Sequence, residues 1–269
     1  MSEEFEIGEV QKSMGNVLSI IEKATLDTQI TTAKSYPRNI SGCLKESIAL
    51  AILSKEIAES CIYALPQKNN FGKDIFILGP SIRLAEIALT CWGNLRVGSR
   101  PVQNDGKTVI AEGVAWDLEK NVGITIQVSK SIVGKNGTYS AHQQNVVISA
   151  AAAIARRNAI LTVIPKAFIN QIYKEAEKVS KGVDKPLGQR VNEAIKYFNM
   201  LGITEGGFLD LVNKKSRDEV DEEDMLLFIG IKNAVVDGII TIDSILKTDQ
   251  GESKNKADAL IKSLKGDQK

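Results

Sequence analysis

The chain holds a single histidine, His142, in 269 residues. That removes most acid–base and metal-site schemes, and a lone histidine beside a loop reads as a surface or cap residue. No Gly-x-x-x-x-Gly-Lys-Ser/Thr loop is present. Phe71-Gly72-Lys73 lacks the earlier glycine and the hydroxyl residue that would cradle phosphates and magnesium. ATP-driven chemistry is therefore not expected, and no cofactor is. The acidic run Asp218, Glu219, Asp221, Glu222, Glu223, Asp224 could be imagined as a metal cluster, but Asp221 followed three residues later by Asp224 fits helix capping and dipole compensation. In the strands that follow residue 94, a nuclease would have only Glu112, Asp117 and Glu119 to use. Asp117 and Glu119 share a face, and a solvated strand face accounts for them.

The basic residues make a more coherent set. Net charge is +1, but it is unevenly divided: residues 1–70 carry 7 basic and 9 acidic side chains, residues 71–175 carry 12 and 7, and residues 176–269 carry 15 and 17. A local excess of this size is compatible with phosphate binding without requiring it. Within that middle third, Arg96 and Arg100 lie on one strand, Lys130 ends another, and Lys107 and Lys135 occupy turns. Arg156-Arg157 sits among apolar residues near the end of an alanine-rich helix, with Lys166 just beyond. Neighbours on a helix are about 100° apart, so the two arginines cannot both face bulk water. One of them lies along a groove or against the sheet. Read from periodicity alone, the pair serves phosphate binding and helix-end capping equally well.

Helical spacing predicts helices over Val10 to Thr25 and Gly42 to Tyr63, with a connector through Tyr36-Pro37 between them. Ile75 to Leu78 is a short strand-like run stopped by Gly79-Pro80, and Ser81 opens a helix closed by Gly93. The period then changes. Asn94 to Gln103, Lys107 to Glu119 and Gly123 to Ile132 read as a three-stranded antiparallel meander with turns at Asn104-Asp105-Gly106 and Glu119-Lys120-Asn121. Val114, Trp116 and Leu118 form the face of its middle strand expected to pack on a helix. A long helix from Gln143 to Ile164 follows, ended by Pro165. The expected fold class is α+β: N-terminal helices, a meander packed on a long helix, and a small C-terminal helical domain. The expected division is a core over 1–181, a linker over 182–188, a helical unit over 189–247 and a mobile charged tail over 248–269.

The acidic start has no basic region followed by an apolar run, and no uninterrupted apolar stretch approaches the roughly 20 residues that span a bilayer. A cytoplasmic protein with no membrane partner is expected. Cys43, Cys61 and Cys91 are odd in number, far apart and in helical segments, so they read as reduced core thiols.

A helix, a meander, and a long helix with a basic pair before a proline-stopped end together resemble the core of the RecT and Red-beta type phage single-strand annealing proteins. The likeness covers roughly residues 75–175. It is carried by Ala155-Arg156-Arg157-Asn158-Ala159-Ile160-Leu161-Thr162-Val163-Ile164-Pro165, and Gly79 to Glu86 and Trp92 to Leu95 are similar to a phage-encoded relative. The chain has fewer aromatic and basic residues before the sheet than that pattern. The resemblance implies a βββα annealing core and non-enzymatic, ATP-independent pairing of complementary strands in recombination, by a ring or helical filament of like subunits. It implies Arg156 and Arg157 as contacts to the inner strand, Arg96, Arg100, Lys130 and Lys166 as flanking contacts, and Lys107 and Lys135 as guides for a second strand. The C-terminal helices would then dock a phage exonuclease or a host single-strand-binding protein. Two other classes stay open from the residues: an oligomeric scaffold without nucleic-acid activity, and a metal-dependent nuclease using Glu112 or Asp117.

Overall fold

The computed structural model describes residues 2–68, 74–134, 137–182 and 185–240 together with 242 and 245, and their side chains from Ser19 onward apart from those of residues 68 and 74. Lys135, Phe71 to Lys73 and the tail from residue 248 lie outside the described residues. The first helix, α1 (Ser2–Ser35), runs straight through the segment expected to be a connector. The hydroxyls of Thr25, Thr28 and Thr31 each donate to the carbonyl four residues back, at 2.8, 2.9 and 2.8 Å, so these residues are satisfied inside a helix. The break comes only at Tyr36-Pro37. The next expected helix is split into α2 (Ile40–Ala51) and α3 (Lys55–Ser60), because Asn39 and Ser54 each cap a new start.

Ile62 and Tyr63 do not extend that helix. They begin β1 (Ile62–Lys68), which pairs antiparallel with β2 (Asp74–Pro80). Only β2 was legible as a strand. Pro66 is tolerated in β1 because a two-stranded ribbon has free edges. Ser81 then caps α4 (Ile82–Trp92), accepting from the amides of Arg83 and Leu84, and Gly93 ends it at φ +64°.

The meander is as expected: β3 (Leu95–Asn104), β4 (Thr108–Asp117) and β5 (Val122–Ser131), in the order β3-β4-β5. Asp105 accepts from the amides of Lys107 and Thr108 in the first turn, and Asn121 holds a positive φ in the second. The short strands β6 (Val133–Gly134) and β7 (Gly137–Thr138) lead to α5 (Ala141–Val163), opened by a capping box between Ser140 and Gln143.

The face of β4 that meets α5 is the opposite of the expected one. Val109, Ala111, Gly113 and Ala115 are buried there, whereas Val114 stays 37% exposed on the far side. Small residues win because the helix comes very close: a Cβ on Gly113 would sit 2.2 Å from the carbonyl of Ala155. By length and composition α5 could cross a membrane; here its alanine face is packed on the sheet.

Pro165 ends α5 but immediately starts α6 (Lys166–Ser180), a helix not anticipated, although Phe168, Ile169, Ile172 and Ala176 have helical spacing. These side chains join Trp92, Leu84, Ala88, Ile160 and Ile164 in one core, with Trp92 and Phe168 edge to face at 4.8 Å. The C-terminal helices α7 (Leu187–Met200), α8 (Glu205–Leu211) and α9 (Glu222–Val236) build a second core. As expected, Asp221 caps α9 in a reciprocal box with Asp224. This second core also takes in Tyr63, Ala64, Leu65, Phe76 and Leu78 from the β1–β2 ribbon. The ribbon and the C-terminal helices therefore share apolar surface, with Gly230 close enough that a Cβ would lie 2.6 Å from the Ala64 amide nitrogen. Cys61 and Cys91 are buried and unpaired, Cys43 is half-buried, and burial pushes the Cys61 thiol up to about 12.

Candidate functional site

The strands divide the expected basic set. Cross-strand pairing places Arg96 opposite Trp116 and Arg100 opposite Glu112, on the sheet face turned away from α5. Arg96 donates to Gln29 of α1 at 3.1 Å, and Arg100 pairs with Glu112 at 3.2 Å. Lys130 pairs with Val109 and so points to the helix side. Lys107 is exposed in the β3–β4 turn and Lys166 is exposed at the start of α6. These residues do not form one surface.

The adjacent arginines are themselves divided, as the 100° step requires. Arg157 is buried, its Nε and Nη2 donating to Asn158 Oδ1 at 3.1 and 2.9 Å, with its guanidinium 5.1 Å from the centre of the Tyr63 ring. Burial draws its pKa down, and among the described residues it has no carboxylate partner. An uncompensated buried cation is costly, which the Tyr63 ring only partly offsets. Arg156 is half-exposed and pairs with Glu86 of α4.

Arg156 opens onto a groove of about 470 Å³ bounded by α4, the stretch of α5 from His142 to Arg156 and the end of α9. Arg83 lies on the same groove and pairs with Glu86 at 3.2 Å and with Asp237 at 3.5 Å. Tyr63 lines its floor and donates through its hydroxyl to Asp237 at 3.2 Å. His142, in the first turn of α5, and the small residues Ser149, Ala150 and Ala153 complete the α5 wall. Lys130 reaches the α9 edge, where its Nζ donates to the carbonyl of Ile239 at 2.7 Å. Its burial lowers its pKa. Three cations from separate elements, Arg83, Arg156 and Lys130, thus gather around one end of α9. Arg83 and Tyr63 escaped the sequence reading: Arg83 sat inside the segment used for the resemblance, but nothing local joined it to residue 156.

The strand carboxylates are engaged elsewhere. Asp117 is not on a solvated face: both its oxygens accept from Arg38, with Nη2 at 2.8 Å, and it also accepts from Trp92 Nε1 and from the amides of Glu119 and Lys120. Glu119 accepts from the Arg38 amide at 2.9 Å. Burial pushes the Asp117 carboxyl up, but the Arg38 guanidinium and the Lys120 amide outweigh it and hold the group below the usual range. Among the described residues no three or more His, Cys, Asp or Glu side chains are grouped as a metal site would need. Compared with known proteins, the chain matches no family model, no curated protein and no solved structure.

Proposed function

We propose that the chain binds single-stranded nucleic acid along the groove between α4 and α5 and pairs complementary strands without ATP and without a catalytic step of its own. The observation that carries this reading is the placement of Arg83 and Arg156 on that groove, with Lys130 at its α9 edge and a buried Arg157 that has no carboxylate partner among the described residues. Cations on a groove walled by small side chains hold a backbone by its phosphates and leave the bases unread, which suits strand pairing without sequence preference. A three-stranded meander with α5 across it supports the reading of a βββα annealing core. On this reading Arg157 positions Tyr63 rather than touching phosphate, and Arg96 and Arg100 on the far sheet face serve a separate contact.

The reading includes self-assembly in the cytoplasm, with the C-terminal helices available to a single-strand-binding protein or an exonuclease. A scaffold role draws on the same features: Ile20 and Ile21 of α1 are 67% and 56% exposed, and β3 and β5 are both edge strands. The two are separated by one experiment on the full chain. Annealing predicts that labelled unpaired oligonucleotide is bound more tightly than duplex, and that complementary strands pair faster with protein than without, no nucleotide being added. Oligomers by light scattering with neither effect would leave the scaffold role.

A further inference from the structure

Arg83 on the groove and Lys130 at its α9 edge are both in contact with one short segment, the exit of α9. Asp237 is the C-cap of α9 and faces Arg83 at 3.5 Å while accepting from the Tyr63 hydroxyl. Two residues on, the Ile239 carbonyl accepts from Lys130. The segment is held in place by its own backbone: Gly238 adopts φ +67°, its amide donates to Val235 and the Ile239 amide donates to Ala234. This is the double closure of a helix ended by a left-handed residue. The negative end of the α9 dipole points the same way, which favours cations there. A carboxylate, a carbonyl and a helix C-terminus are thus set against groups that a phosphate would otherwise claim.

We propose that the α9 exit, Asp237 to Ile239, is an internal competitor of nucleic-acid phosphates, an autoinhibitory latch through which the C-terminal helices hold the groove partly closed. This rests on the groove reading above and adds its regulation. Strand binding displaces Asp237 from Arg83 and Ile239 from Lys130. A partner that drew the Asp237 to Ile239 segment away from Arg83 and Lys130 would raise strand affinity without touching the strand.

The test compares full-length wild type with Asp237→Asn, which keeps an acceptor for Tyr63 and removes only the charge. A second variant, Gly238→Ala, meets no atom within 4 Å but strains the left-handed turn that aims Ile239. Asp210→Asn, an exposed position on α8, controls for net charge. The probe is a fluorescein-labelled oligothymidylate at low salt. Loss of one partly exposed ion-pair competitor predicts binding about two- to fivefold tighter for Asp237→Asn. Gly238→Ala changes in the same direction and Asp210→Asn stays at wild type. Wild-type binding matched by Asp237→Asn would overturn the latch and leave the groove reading standing. Binding by neither protein would overturn the groove reading and the latch with it.

Discussion

Asp117→Ala is expected to lower folding stability by about 3–5 kcal/mol, the cost of stranding one partner of a buried ion pair. Arg38 and Asp117 have side chains only 3% and 4% exposed, and the guanidinium also lies 4.6 Å from the centre of the Trp92 ring. Removing the carboxylate leaves a buried cation against an indole with Glu119, at 3.5 Å, as its remaining carboxylate, and two backbone amides lose their acceptor. Arg38→Ala should cost a similar amount for the mirror reason. A paired apolar replacement, Arg38→Met with Asp117→Leu, should recover part of the loss, since it removes the buried cation but leaves the Glu119 and Lys120 amides without Asp117 and Glu119 without Arg38. Urea unfolding of the four proteins measures this, and additive single losses would show that the two groups do not act as a pair. The network also sets acid stability. The Asp117 and Glu119 carboxyls are both depressed in the fold, Glu119 chiefly by the Arg38 amide. Their contribution is therefore complete above the ordinary carboxylate range, near pH 4, and is lost as pH falls below it toward their folded values. Asp117→Ala should flatten the stability profile in that acidic window.

Among the described glycines, Gly113→Ala should be the most damaging added methyl. The added Cβ would fall 2.2 Å from both the carbonyl carbon and oxygen of Ala155 and 2.6 Å from the Arg156 amide nitrogen. All three are backbone atoms of α5, so no side chain can rotate aside and the helix must lift from the sheet. Overpacking of a dense core costs about 1–3 kcal/mol, and a backbone clash belongs at or beyond the upper end. The shift would also move Arg156, because its amide is one of the atoms displaced. Strand affinity should then fall along with the melting temperature, whereas Gly98→Ala on the open sheet face, with no atom within 4 Å of a new Cβ, should change neither.

Local chemistry made much of this fold legible. The turns around Gly106 and Asn121, the stop at Gly93 and the Asp221 cap all depend on residues adjacent in sequence, and the structure has each of them. The misread parts depend on distant partners. Alternation within β4 showed two faces, but the choice between them was made by α5, which needs glycine and alanine to approach. Trp116 and Val114 looked like core and are the outer face. Arg38 pairs with a carboxylate 79 positions away, and no periodicity announces that. The basic set was scattered by register: inward positions are odd-numbered on β3 and β4, but Asp117 pairs with Val122, so they become even-numbered on β5. Lys130 consequently lies on the opposite face from Arg96 and Arg100. Of the adjacent arginines, the sequence correctly required different environments but could not say which was buried.

The groove reading is tested most directly by the salt dependence of binding to an unpaired oligonucleotide, measured for the full chain and for Arg83→Gln/Arg156→Gln. Both side chains are substantially exposed, at 52% and 36%, so their replacement should leave the fold intact. Each phosphate contact contributes about 0.7 to the slope of log affinity against log salt for single strands. The account predicts weaker binding of every sequence alike and a slope reduced by about 1.4 in the double variant. A folded double variant with unaltered affinity and slope would contradict it and remove the groove as the nucleic-acid site.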